Sequence, residues 1–261
     1  MSAVQLLASL FLLVIFVACK GGGESAQEQP GDPPGAGMVW VGSDQEGLWV
    51  DVTEVTTAEF RAFVTETGYR TEADSFGWSG VFNLDTLAWL PVEGANWEYP
   101  QGPGAAPAAD AEPVTQVSLR DARAYARWAG KRLPTEEEWM RVATQLGRLQ
   151  DYPWGEEMIP SGEYLANWWQ GPFPYRNEVR DGFSGVAAVK SFPPSSTGLY
   201  DISGNVWEWT ETTRPGTGEY VIKGGSFLCA TNYCTGFNLQ QRQFTAADSG
   251  LNHLGFRCVA S

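Results

Sequence analysis

Gly198–Thr210 reads GLYDISGNVWEWT, and shortly after it Lys223–Cys234 reads KGGSFLCATNYC. Both are typical of the chain from Asp151 onward, which is Gly, Pro, Asn and aromatic residues with short β-like runs. Irregular segments of this length need anchoring, by bound ions or by many side chain–backbone hydrogen bonds. The composition agrees with this reading. The 261 residues hold 30 Gly, 16 Pro and 12 Trp, a mix that suits indoles packed between loops and not a helical bundle. With 43% hydrophobic and 18% charged residues, the body is not a disordered polyelectrolyte.

Working outward, three helices stand out. Thr56-Thr57-Ala58-Glu59 is a capping box, with Phe60, Phe63 and Val64 on one face and Gly68 as the stop. A second helix starts at Ser118, carries Asp121 at its third position, turns Ala122, Tyr125, Ala126 and Ala129 inward and ends at Gly130. A third starts at Thr135, closes its box with Glu138, presents Trp139, Val142, Ala143 and Leu146, and stops at Gly147. MVWVG (38–42) and LWVDV (48–52) are strand candidates, rich in β-branched and aromatic residues. The expected class is α+β with little regular secondary structure.

At the N-terminus, Leu6 to Ala18 is apolar apart from Ser9, too short to span a bilayer and the right length for a signal-peptide core. It ends in Phe16-Val17-Ala18-Cys19, which resembles a bacterial lipobox. Residues 1–18 are therefore expected to be a signal peptide, 19–37 a lipidated Cys19 and flexible linker, and 38–261 one domain. The predicted location is exported and lipid-anchored to a bacterial membrane, periplasmic or at the cell surface. The membrane is then a partner through the anchor only. Charge limits the other partners: 17 Lys+Arg against 31 Asp+Glu give a net −14, which argues against nucleic acid.

His253 is the one histidine, which excludes sites needing two imidazoles. With Cys19 assigned to the lipid, Cys229, Cys234 and Cys258 remain. Three readings are open: a local Cys229–Cys234 disulfide with Cys258 free; a structural zinc held by Cys229, Cys234, His253 and Cys258; or Cys229 and Cys234 as a working thiol pair, whose soft sulfurs suit Cu(I).

WAGKRLPTEEEW (128–139), YPWGEE (152–157), ANWWQG (166–171), the two opening stretches and LGFRC (254–258) occur in this order. Together they resemble the formylglycine-generating enzymes, or sulfatase-modifying factors, from about Val50 to the C-terminus. WLPVEGANWEYPQGP (89–103) and GGSFLC followed by NYC resemble the catalytic members in particular; noncatalytic members generally lack that cysteine pair. The resemblance implies a loop-rich fold related to C-type lectins. It also implies an oxidase that uses O2 and Cu(I) to turn a cysteine in a Cys-x-Pro-x-Arg motif of an unfolded sulfatase, or a sulfatase-derived peptide, into Cα-formylglycine. The rival expectation is a noncatalytic binding or scaffold lipoprotein on the same fold.

By similarity, Cys229 and Cys234 hold Cu(I), Ser226 is the active-site serine, Trp207 and Tyr233 line the site, and Arg242 lies in the substrate groove. One Ca²⁺ takes Asn167 and Asp181 side chains with the carbonyls of Trp168 and Phe183; a second takes Asp201 and Glu208 with the carbonyls of Gly204 and Val206. Oxygen donors in Gly-rich loops suit calcium. The chain departs from the vertebrate pattern at several places. Ala126 stands where a cysteine pairs with the one matching Cys258, so Cys258 is expected to be a buried free thiol. Ala143 and Leu239 replace both ends of a second disulfide. Ala230, Asn238 and His253 stand where the vertebrate pattern has His, Arg and Asn, and His253 is expected either beside the site or capping a loop.

Overall fold

A computed structural model describes residues 32–43, 46–144 and 147–260. The expected signal peptide, Cys19 and most of the expected linker lie outside the described residues, as does Leu146 of the third predicted helix. Among the described residues no helix is long and apolar enough to cross a membrane.

The chain opens with a hairpin of β1 (Met38–Gly42) and β2 (Gly47–Asp51) in full antiparallel register. Helix α1 (Thr57–Thr67) follows with the expected reciprocal Thr56/Glu59 box, and Gly68 ends it in the left-handed region at φ 66°. Next come a short helix α2 (Glu72–Phe76) and a second hairpin, β3 (Trp78–Asn83) with β4 (Ala88–Glu93). The sequence reading did not include these three elements. Helix α3 (Leu119–Trp128) has the Ser118/Asp121 box and stops one residue earlier than expected, with Ala129 as its C-cap. Helix α4 (Glu136–Ala143) has the Thr135/Glu138 box and ends at Thr144, before Gly147.

From Thr144 to Val206 the described chain carries only one 3₁₀ turn, at Pro160–Gly162. Side chain–backbone hydrogen bonds anchor much of it. Asn205 receives the Asn167 amide and the Ala187 N–H on Oδ1, and gives its own amide to Glu54. Gly204 is required beside it: at φ 80°, a Cβ there would collide with the Asn167 carbonyl.

The main sheet runs β7 (Gln243–Ala246), β6 (Glu219–Lys223), β5 (Trp207–Thr213), β8 (Leu254–Gly255), with β8 parallel to β5. The last strand, β9 (Val259–Ala260), pairs with β2, so the C-terminus closes onto the first hairpin. The principal core gathers Phe60, Phe63 and Tyr125 from α1 and α3 against Trp207, Trp209 and Phe256. Ala143 and Leu239, the positions that replace a vertebrate disulfide, share a second apolar cluster with Trp139 and Ile202. Burial there takes the place of the covalent link.

Candidate active site

The site grows from the turn after β6. Gly224 and Gly225 adopt φ 94° and 79°, and a Cβ on Gly225 would strike the Phe237 amide. This reversal brings Ser226 to Cys234 back across the start of β5. Cys229 donates its N–H to the Ser226 carbonyl at 2.9 Å, and Cys234 donates to Ala230 at 3.1 Å. These two turns set the Cα atoms of Cys229 and Cys234 4.6 Å apart, and the sulfurs form a disulfide. Both residues are buried, at 1% and 7% exposure.

This settles the choice among the three cysteine readings in part. Cys258 is a free, fully buried thiol whose backbone N–H bonds the Asp51 carboxylate at 3.0 Å. Burial holds that thiol in its protonated form by pushing its pKa well up. The four expected zinc ligands do not converge. Among the described residues no three His, Cys, Asp or Glu side chains form a metal-holding group, and the zinc staple is withdrawn.

The bridge forms part of the wall of a cavity of about 130 Å³. Phe82, Trp89, Phe173, Trp207, Ser226, Tyr233 and His253 also line it, and no Asp, Glu, Lys or Arg among the described residues does. Ser226 is fully buried, with Oγ 4.0 Å from Cys229 Sγ, 3.3 Å from His253 Nδ1 and accepting the Leu228 N–H at 3.3 Å. Trp207 is buried at the start of β5, and its N–H bonds the His253 carbonyl at 2.8 Å. Tyr233 sits at the mouth, 65% exposed, stacked on Phe173 with centroids 4.5 Å apart. His253 is therefore beside the site.

Arg242 is not in the cavity wall. It is a half-exposed cation paired with Glu136 at the start of α4, at 2.8 Å, and the next two residues of the chain, Gln243 and Phe244, are in the wall. Its neighbour Gln243 was missed. Strand β7 turns the Gln243 amide onto Cys234 Sγ at 3.3 Å. Phe173 was also missed. It reaches the wall from a loop 56 residues before Cys229, and no local pattern marks it.

The first calcium set is partly assembled. Asp181 accepts the Trp168 and Phe183 N–H groups at 3.1 and 3.0 Å, and its Oδ2 and the Trp168 carbonyl meet the same Gln170 amide nitrogen. Asn167 bonds Gly185 and Asn205. In the second set, both acids have protein partners. Glu208 spends both oxygens on Arg257, at 2.7 to 2.9 Å, and on the Trp139 indole at 2.7 Å. Asp201 accepts the Lys190 N–H at 2.9 Å. The residue sequence reading missed is Glu54: it is fully buried, its Oε2 has no partner among the described residues, and Asp201 is one of its charged neighbours. Burial first, and then Asp201, push its carboxyl pKa well up; burial lifts that of Asp201 to about 6. Three buried acids, Glu54, Asp201 and Glu208, face Arg257 as their fully buried cation, so an added cation beside Glu54 fits the charge.

The site is thus a cysteine pair in an uncharged aromatic pocket, carried on a loop-rich mixed α/β scaffold. Residues 22–261 match the family model described as a sulfatase-modifying factor enzyme 1-like domain, and the chain belongs to that family. It is 43% identical over 248 residues to the formylglycine-generating enzyme of Mus musculus, covering 82% of this chain and 66% of the mouse protein. It is 41% identical over 232 residues to the inactive Cα-formylglycine-generating enzyme 2 of Bos taurus, covering 81% of this chain and 76% of that one. Among solved structures, PvdO from Pseudomonas aeruginosa shares the fold with a TM-score of 0.58 at 18% identity, over 85% of this chain and 89% of that one.

Proposed function

We propose that this chain is an oxidase that converts a cysteine in a Cys-x-Pro-x-Arg segment of a client sulfatase to Cα-formylglycine, with O2 as oxidant and Cu(I) on Cys229 and Cys234. The observation that carries the reading is the buried cysteine pair in the wall of an open, charge-free aromatic cavity. Its donor set suits a soft monovalent ion once the bridge is reduced, because two thiolates are offered and no hard carboxylate lines the cavity. Copper, when bound, would supply the redox chemistry that activates O2 beside the client thiol.

The chain's own residues do the rest. The small cavity admits a side chain and not a folded domain, so the client must present its cysteine in an extended, unfolded segment. Trp89, Trp207 and Phe173 exclude water and give the proline-bearing segment an apolar wall. Ser226 places a hydroxyl 4.0 Å from Cys229 Sγ. The test is mass spectrometry of a Cys-x-Pro-x-Arg peptide incubated with reduced protein, Cu(I) and O2. A peptide that gains the aldehyde and loses sulfur supports the reading.

A noncatalytic binding protein is the second reading. The inactive relative, at almost the same identity as the active one, and the closed Cys229–Cys234 bridge favour it. Peptide bound but unchanged under those conditions would select it.

Calcium on the Asn167/Asp181 loops, and a second ion on the Asp201 and Glu208 side chains with the Gly204 and Val206 carbonyls, would stabilise the folded state. Adding a chelator should lower the parent's melting temperature by roughly 5–10 °C, the effect of a ligand held near a hundred times its Kd. Asp181→Ala should melt low and lose the part of the chelator response that belongs to the Asn167/Asp181 site. Equal parent melting curves with and without chelator would remove calcium from the account.

The lipobox-like FVAC supports a lipid anchor on Cys19 that would hold the protein on a membrane. Cys19→Ser should move it to the soluble fraction or leave its precursor uncut. A parent that fractionates as soluble with Cys19 intact would end the anchor reading.

A further inference from the structure

His253 stands where the vertebrate pattern has Asn, and the proposed chemistry leaves it without a task. Its ring is nearly buried in the cavity wall, 4.7 Å from the Trp89 ring at a T-shaped angle, and its backbone is fixed by the Trp207 N–H. Nδ1 faces Ser226 Oγ at 3.3 Å, and no other hydrogen bond to the ring occurs among the described residues. Ser226 Oγ already accepts the Leu228 N–H, so its own proton has two directions, His253 Nδ1 or Cys229 Sγ. The nitrogen is nearer, at 3.3 against 4.0 Å, and is the better acceptor.

We propose that His253 is a positioning residue that, as a neutral imidazole, accepts a hydrogen bond from the Ser226 hydroxyl at Nδ1, so that Ser226 Oγ presents a lone pair, not a proton, toward the Cys229 sulfur and the incoming client thiol. The inference rests on the proposed function for its purpose, but not for its geometry. A neutral ring is what the surroundings impose. Desolvation drives the imidazole pKa down to about 3. The other titratable groups in the cavity wall among the described residues are Cys229, Cys234 and Tyr233, and no carboxylate faces the ring to hold a positive charge. A general base would have to become imidazolium at this spot, which the same burial opposes. His253 therefore orients the serine and does not carry its proton away. With Nδ1 used as an acceptor, the ring's one proton sits on Nε2.

Because the chain has a single histidine, ¹⁵N-histidine labelling of untagged protein reads this ring alone. In reduced, metal-free protein, the expected spectrum shows an unprotonated Nδ1 and a protonated Nε2, unchanged between pH 8 and pH 5, and Ser226→Ala shifts the Nδ1 signal. A protonated Nδ1, titration of the ring near pH 6.5, or an Nδ1 signal indifferent to Ser226→Ala overturns the proposal. The kinetic arm uses the peptide assay. His253→Leu should lower kcat about tenfold, as loss of one oriented hydrogen bond does, with KM within about twofold. Asn, whose amide can hold the same hydroxyl, should recover most of the loss. The Ser226→Ala/His253→Leu double variant should be no slower than Ser226→Ala alone. Additive losses, or a change confined to KM, overturn the positioning role. A parent that makes no aldehyde ends the proposed function and leaves the spectrum to decide the hydrogen bond.

Discussion

Cys229→Ser and Cys234→Ser should each yield a folded protein that neither binds Cu(I) tightly nor makes the aldehyde. The metal ligand is the thiolate, and one sulfur cannot replace a pair. The expected rate is below about one hundredth of the parent, because the metal's contribution of several kcal/mol goes with the site. Stability should barely change. The bridge closes a loop between positions five apart, worth about 2 kcal/mol at most, and it is open in the parent under the reducing conditions that Cu(I) requires. No Lys or Arg lines the cavity to favour the thiolates, so binding should weaken as pH falls, with protons competing for sulfur. Cys258→Ser should keep activity, since that thiol lies beside Asp51 and away from the cavity. Copper titration, melting curves and the peptide assay separate these outcomes. Full activity in both cavity-cysteine variants would refute the mechanism.

The largest stability effect is expected at Arg257. Its guanidinium is completely buried, forks onto Glu208 and donates to the Asp51 and Tyr200 carbonyls. It thereby ties the strand-bearing C-terminus to β2, to β5 and to the loop before it. Glu54 and Asp201 add two more acids to its surroundings. Arg257→Met keeps most of the volume but leaves buried carboxylates without their counter-charge. The expected cost is about 3–5 kcal/mol, enough to lower the melting temperature by roughly 10 °C. Arg214→Ala is the control. Its pair with Glu219 is half-exposed, and its loss should cost under about 1 kcal/mol. Urea unfolding of both variants gives the comparison; similar costs would show that burial of the Arg257 pair does not matter.

Local signals were readable and global ones were not. The three capping boxes at Thr56, Ser118 and Thr135 appear as read, because a box is made within four consecutive residues. Helix α2 has the same device at Thr71 and Asp74, yet its five residues are too few for a periodic apolar face, and it was missed. The β3–β4 hairpin was missed for a related reason: its alternation is visible only when Trp78–Asn83 is set against Ala88–Glu93, and its tip carries no Asn-Gly or Asp-Gly turn. In the candidate site, the cysteine pair and Ser226 were legible because one short turn holds them. Trp207 was legible through its motif.

The sequence by itself determined the helix boundaries to within a few residues, the loop-rich class, the family and the closeness of Cys229 to Cys234, all of which follow from neighbours in the chain or from quoted motifs. Only the tertiary structure decided that Cys258 packs beside Asp51, that Arg242 faces Glu136, and that Glu54 joins Asp201 and Glu208 around Arg257. Those outcomes depend on residues 49 to 207 positions apart meeting in a low-dielectric interior. There a charge is tolerated only beside its partner, and burial, which no local pattern specifies, sets whether a histidine or a carboxyl carries a proton.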